Sequence, residues 1–444
     1  MTRIRFRWLL CSVCLLPLLA ARAAATAPPG SESNWHQWRG PTSTGQAAPT
    51  ARPPREWSET QNVAWKLDLP GEGSSTPIIW GDQVFVLSAL ATDRPAETPI
   101  APHADAKTLP PNVYHRFLVT AVDRSSGQIR WQKLAAEELP HEGKHSTHTY
   151  AAASPVTDGQ RLYASFGSRG IYCYTLDGSL LWSKDLGDMR TRFAWGEAVT
   201  PALAGELLIV NWDQEEHSFI VALRADTGEE IWRKDRPGEK TSWNTPLITE
   251  VDSRQVAVVN GSGKARAYDV STGDVLWECG GQTTNAIPSP LRFEDLAICV
   301  SGYRGAASFA IPLKSRGDIT GSDGIRWSYS EGTPYVPSPS SSGNRLYFTG
   351  GLGDILTVLD MSTGKPIRDR LRLNGVGNCY ASPLIADGRV YIIGREGGAV
   401  VLQDAAPFAT LASSRLEGNF DASPVAVGNQ LFLRSWNRLY CIAE

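Results

Sequence analysis

Residues Ala267 to Trp277 read A-Y-D-V-S-T-G-D-V-L-W. The spacing predicts a short strand ending at Tyr268, a turn opened by Asp269 and closed by Gly273, and a second strand that carries Trp277. Aspartate accepts hydrogen bonds from N–H groups two residues on, and glycine takes a positive φ without a Cβ penalty, so the phrase reads as a β-hairpin. It returns as A-V-D-R-S-S-G-Q-I-R-W at Ala121 to Trp131 and as A-L-R-A-D-T-G-E-E-I-W at Ala222 to Trp232. A shortened copy, Y-T-L-D-G-S-L-L-W, spans Tyr174 to Trp182, and a decayed one, L-D-M-S-T-G-K-P-I, spans Leu359 to Ile367. Repetition at a regular interval decides a fold more firmly than any single motif.

A second marker keeps time with the first: Ser or Thr, then Pro, then a short apolar strand. Its prolines are Pro77, Pro155, Pro201, Pro246, Pro290, Pro339, Pro383 and Pro424. Beyond the long first interval they recur about every 45 residues, the length of a four-stranded propeller blade. Each unit reads as strand A after the proline, strand B, strand C before the Asp-Gly turn, and strand D ending at the tryptophan. The expected fold is all-β, an eight-bladed β-propeller of four-stranded antiparallel blades. The last unit stops after Leu439-Tyr440-Cys441-Ile442, whereas Val63-Ala64-Trp65-Lys66 is a lone D strand with no hairpin before it. Pairing the two closes the ring and removes two exposed sheet edges. Ile367 and Leu411 stand at the tryptophan position in the two weakest copies.

The first 25 residues combine Arg3, Arg5 and Arg7 with an apolar run from Trp8 to Ala21 and small residues after it, the pattern of a cleaved export signal. Cys11 and Cys14 lack the small residues that precede a lipidated cysteine, so soluble export to the periplasm or the outside is expected. Residues 26–61, with N-W-H-Q-W-R-G-P at Asn34 to Pro41 and a proline-rich tether through Pro54, read as a non-regular strap packed on a formed surface; 62–444 is the propeller. Removing Arg3, Arg5, Arg7 and Arg22 from the 43 basic residues leaves 39 against 46 acidic, a net of −7. That balance argues against nucleic acid as a partner. Cys173, Cys279, Cys299, Cys379 and Cys441 are odd in number and irregular in spacing, neither a disulfide framework nor a zinc set. A monomer without a membrane span is expected.

The A-x-D-x-x-[ST]-G-x-x-x-W phrase resembles the tryptophan-docking repeat of the pyrroloquinoline quinone (PQQ) type eight-bladed propellers, from about Trp65 to Glu444. N-W-H-Q-W-R-G-P, S-P-V-T-D-G, D-M-R-T-R and G-Q-T-T-N-A-I-P-S-P look like a bacterial group of exported PQQ-binding-like propellers. Two lineages share the repeat. In quinoprotein alcohol dehydrogenases the resemblance implies PQQ on the axis over a calcium ion, covered by a disulfide between adjacent cysteines and served by an aspartate base. This sequence has no Cys-Cys pair and no C-x-x-C-H haem motif. The other lineage, the propeller lipoprotein of the outer-membrane assembly machine, implies a non-enzymatic scaffold with an envelope protein as partner. The expectation is a non-catalytic propeller that binds a small-molecule ligand or an envelope protein, with a PQQ-dependent dehydrogenase as the alternative.

The strand placement gathers one set of loops around the axis. It brings together His148, Tyr150, Arg190, Arg192, Trp195, Glu197, Trp212, Asp213, Trp243, Asn244, Asn285, Tyr303, Arg304, Tyr335, Asn378, Tyr380, Arg395, Glu396, Asp421, Arg434 and Trp436. Aromatic faces and a few directional polar groups are what a ligand funnel needs, although a mouth wetted by solvent would also be polar. No catalytic residue is assigned: the nucleophile elbow G-x-S-x-G is absent from any strand-to-helix setting. H-E-G-K-H-S-T-H at His141 to His148 sets two histidines four apart with Glu142 between, but in a loop rather than on a helix, so no metal is expected. The connections Ala89 to Arg116 and Leu134 to Tyr150 are long enough to roof the same rim.

Overall fold

The computed structural model describes residues 28, 30–350 and 353–444. The expected export signal lies outside the described residues. The described residues form eight sheets, each built on four antiparallel strands, so the molecule is an eight-bladed β-propeller. Blade 1 runs Ile78–Trp80, Gln83–Pro95, Val113–Asp123 and Ile129–Glu138. The first strands of neighbouring blades touch, Ala202–Ala204 against Leu247–Val251 and Ser340–Ser342 against Leu384–Ala386, which puts strand A of each blade nearest the axis.

The closing blade is built as its two half-patterns require. Val425–Val427, Gln430–Arg434 and Arg438–Ile442 supply strands A to C, and Val63–Asp68 pairs antiparallel with the last of them, Trp65 opposite Cys441. The hairpin phrase also behaves as written: Asp269 Oδ1 accepts the Ser271 N–H at 2.8 Å, and Asp269 O accepts the Gly273 N–H at 2.8 Å. Strand D, however, does not end at its tryptophan. Val275–Gly280 continues three residues past Trp277, because backbone pairing with strand C requires no apolar side chain on the outer edge.

The tryptophans tie each blade to the next. Trp65 Nε1 donates to Arg124 O at 3.0 Å, Trp131 to Leu176 O at 3.0 Å, Trp182 to Ala225 O at 3.1 Å, and Trp232 to Val270 O at 2.8 Å. Beneath the Trp65 ring sits Gly127 at φ 74°, where a Cβ would come within 2.6 Å of the indole. Only glycine allows both the turn and the approach. Ile367 and Leu411 hold the same place without an indole and stay exposed. The hydrophobic core accordingly lies between blades; one cluster joins Tyr163 and Trp182 of blade 2 to Leu208, Val210 and Phe219 of blade 3.

Two long connections prove shorter than their sequence suggests. Strands B and C of blade 1 pair as far as Pro95 with Val113, and strand D reaches Glu138, so residues 89–95 and 113–116 are a hairpin arm rather than loop. Arg94 stacks on Tyr114 at 3.8 Å and stiffens that arm. Its tip folds back over the rim, where Lys107 N–H donates to Phe193 O at 2.9 Å. A short strand, Gly317–Asp318, which the repeat does not announce, leaves blade 5 and pairs parallel with the outer edge of blade 4.

Candidate functional site

All eight Ser/Thr-Pro markers enter a girdle around the axis, joined by seven of the eight possible links. The backbone N–H of Thr76 donates to Ser154 Oγ and that of Ser154 to Thr200 Oγ1, each at 3.0 Å. After a gap, Thr245 donates to Ser289, Ser289 to Ser338, Ser338 to Ser382, and Ser382 to Ser423, at 2.8 to 3.0 Å. Ser423 then donates to Thr76 Oγ1 at 3.0 Å and joins the last blade to the first. Among the described residues the link from Thr200 to Thr245 is the one not made.

The strap crosses the ring on the side of the A–B turns. His36 O accepts from Thr157, Ala47 N–H donates to Ile385 O, and Arg52 N–H donates to Gly428 O, which spans blades 2, 7 and 8. Between these anchors Arg39 is buried and donates to Pro339 O at 2.5 Å and Ser340 Oγ at 2.7 Å. Burial without a carboxylate partner lowers its guanidinium to about 9. This anchoring raises Trp38 to the level of the girdle, where it lines both the central cavity and a smaller one on the strap side. The axial opening therefore has an indole between the central cavity and the strap-side one.

Above Trp38 lies a cavity of about 310 Å³. Its wall carries Trp195, Trp243, Tyr303, Tyr335 and Tyr380, with His145, His148 and Asp421 among them. Tyr303 and Tyr335 have ring centroids 4.8 Å apart, and Trp195 meets Tyr303 edge-on at 6.3 Å. Trp243 Nε1 donates to Gly196 O at 2.7 Å, which fixes its indole. Burial raises the Tyr335 phenol to about 12 and lowers His148 to about 4. At neutral pH the wall thus holds a neutral phenol and a neutral imidazole, whose Nε2 lies 3.0 Å from Glu197 O. Asp421 is committed: Arg395 Nε donates to Oδ1 at 2.6 Å and Trp436 Nε1 to Oδ2 at 2.7 Å.

Seven of the expected funnel residues line this cavity: His148, Trp195, Trp243, Tyr303, Tyr335, Tyr380 and Asp421. Arg395 and Trp436 stand behind them, Arg395 also stacking on Tyr380 at 4.2 Å. Arg304, Asn378 and Glu396 are exposed, and Arg190 pairs with Glu216 at 2.9 Å and with Asp105. Arg192 covers the Phe193 ring at 5.1 Å. Tyr150 and Glu197 line a separate, smaller cavity. Others point into the blades. Trp212 stacks on Phe219 at 5.9 Å, Asp213 pairs with Arg236 Nε at 2.6 Å, and Asn244 Nδ2 donates to Asn260 O at 2.7 Å. Asn285 is buried, and Arg434 Nη1 donates to Ser75 O at 2.8 Å, holding blade 8 against blade 1. Trp38, His145 and the girdle hydroxyls were missed, although the strap motif and the Ser/Thr-Pro markers contain them.

His141 and His145 do not share a ligand position. His145 faces the central cavity, while His141 turns to the smaller one with Glu142 and Glu197. Burial pushes the Glu142 carboxyl up to about 8 and raises Glu197 as well.

A profile of the family described as outer membrane protein assembly factor BamB matches residues 115–316 and 319–444. The chain belongs to this family. No curated protein matches it significantly. Among solved structures, BamB from Moraxella catarrhalis superposes with a TM-score of 0.52 at 15% identity, over 80% of this chain and 98% of the other. The quinohemoprotein alcohol dehydrogenase ADHIIG of Pseudomonas putida HK5 gives 0.58 at 11% identity, over 93% and 80%. A computationally designed protein, Ika8, gives 0.54 at 13%, over 85% and 98%. At these identities the likeness is one of fold. A calcium-bound PQQ needs several oxygen ligands, and Asp421 is the only carboxylate on the cavity wall among the described residues, both its oxygens already engaged. All five described cysteines are free and buried. The lining does not fit that cofactor. Among the described residues no helix is long and apolar enough to cross a membrane.

Proposed function

We propose that this chain is an exported, non-catalytic propeller of the bacterial envelope that captures a ligand, or a protruding side chain of an envelope protein, in its central cavity. The observation that carries the reading is the aromatic chamber: five aromatic side chains around a volume of about 310 Å³, with Trp38 from the strap as a sixth. Pockets of this size suit a small molecule or a single inserted group, and flat rings ringed by hydroxyls favour a compact occupant with one flat face and a few polar groups. The neutral phenol and imidazole supply hydrogen bonds without demanding a charged ligand. The family's description as an outer-membrane assembly factor agrees with an envelope partner.

The test is native mass spectrometry of the untagged protein after exposure to an envelope extract, with wild type compared to Tyr335→Ala and Trp243→Ala. A retained molecule or peptide lost in both variants supports the chamber as the site, whereas equal retention removes it. Titration with PQQ plus calcium, followed by dye-linked alcohol oxidation, overturns the non-catalytic reading if both are positive.

A further inference from the structure

The unmade girdle link lies where the two axial cavities share their walls: Trp38, Thr200 and Thr245 line both the central cavity and the strap-side one. Among the described residues the Thr200 N–H has no acceptor there, and the Thr245 hydroxyl has no partner. Thr200 is 7% exposed, so an idle N–H at this place is costly, and an oxygen in the gap would satisfy it. The strap-side cavity measures about 40 Å³, room for one small polar group.

Arg39 lines the strap-side cavity and supplies what the central one lacks, a charge without a counter-charge. It is 4% exposed, and among the described residues no carboxylate pairs with it. Its Nη1 and Nη2 donate to Pro383 O, Pro339 O and Ser340 Oγ, whereas Nε has no partner and is not sealed from solvent. Carbonyl dipoles offset part of the cost of burying a guanidinium, and a negative group offsets more. Arg434, another buried guanidinium without a carboxylate, lines neither cavity. On the central wall Asp421 is already matched by Arg395. The two cavities together therefore present one unmatched positive charge at one end of a neutral aromatic chamber.

We propose that the strap-side cavity takes the carboxylate of a small organic monoanion, between Arg39 and the open girdle link, while the flat apolar body of the same molecule lies among the aromatics of the central cavity. The proposal rests on the central cavity being the binding site and adds the charge and the direction of its ligand. A guanidinium, an N–H and a hydroxyl are donors that carboxylate oxygens accept from, and charge-assisted bonds of this kind are the strong ones. One cation meets one negative charge. A neutral sugar would leave Arg39 unmatched, and a tricarboxylate such as PQQ would bring more charge than the site offsets. Trp38 and Arg39 are adjacent in the strap motif N-W-H-Q-W-R-G-P, so the strap rather than the repeat sets this preference.

The test is isothermal titration of the untagged protein with naphthoate and with its uncharged counterpart naphthamide. Naphthoate is expected to bind about tenfold tighter or more. Arg39→Gln is expected to erase that preference and Thr245→Val to reduce it roughly fivefold, with naphthamide affinity unchanged in both. Equal affinity of the wild type for the two probes, binding of neither, or a preference that survives in both variants overturns the proposal. Arg39 also anchors the strap; should Arg39→Gln fail to fold, Thr245→Val decides, its fold checked by far-ultraviolet circular dichroism. Tyr335→Ala separates the two readings. Equal wild-type affinities that are both lost in Tyr335→Ala strike the charged anchor and leave the chamber standing, whereas both probes retained in Tyr335→Ala strike the chamber and the anchor together.

Discussion

Ser423 donates its backbone N–H to Thr76 Oγ1 at 3.0 Å, so the final blade is latched to the first at the innermost turn of the ring. Thr76 is 3% exposed, and no solvent can replace the hydroxyl. Thr76→Val is expected to orphan that N–H and to cost about 1–3 kcal/mol, while Thr76→Ser keeps the bond. Thr272→Val, on an exposed turn, should cost no more than about 0.5 kcal/mol. Denaturant unfolding of the three variants checks the ranking; equal loss in the first and third would remove any special role for the girdle.

A chain that begins at Lys66 lacks the strap and the first half of the closing strand, Trp65 included, leaving the Cys441–Ile442 end of strand C of blade 8 as an open edge. Calorimetry should then show a broader transition whose van't Hoff enthalpy falls below the calorimetric one. A sharp, unshifted transition would mean that the ring does not depend on its closure.

Stability and binding should separate cleanly between two residues that the sequence places in one group. Asp213 and Arg236 form a salt bridge with both side chains at most 1% exposed. Asp213→Ala takes the closest carboxylate from a buried guanidinium, leaving it Glu239 at 3.8 Å, and is expected to cost about 3 kcal/mol, far more than breaking the partly exposed Arg233–Glu230 pair, worth no more than about 1 kcal/mol. Tyr335→Ala should instead abolish ligand retention with a smaller stability loss. Denaturant curves and native mass spectrometry on the same preparations test both halves.

His36, buried in the strap, is held down to about 4 by burial. The unfolded chain takes up a proton near 6.5 that the folded chain refuses, so between those values stability falls as pH falls. His36→Gln lacks this site. Measured against the variant, wild type is expected to lose about 2 kcal/mol between pH 7 and pH 5. Parallel pH curves for the two proteins would show that the imidazole is not excluded from protonation.

The ring itself was readable because two short signals, the Asp-Gly hairpin and the Ser/Thr-Pro marker, repeat at one spacing and each has a local cause. The site was readable only in part. Trp195 and Trp212 look alike in sequence, yet one faces the axis and the other packs on Phe219, because the loops entering strand A have no period from which a side chain's direction follows. Trp38 was hidden for a different reason. Its position depends on Arg39 finding the carbonyls of Pro339 and Pro383, 300 and 344 residues away, a partnership no local pattern encodes. The same limit applies to His141, which pairs with Glu197 across two blades rather than with its neighbour His145.

The strand that completes blade 8 precedes blade 1 in the chain, so it is made before the three strands it joins. Until the other end arrives, Trp65 and its neighbours have no sheet to join, and the half-built ring shows an unpaired flank. A ring closed this way cannot be complete until both ends of the propeller sequence are present.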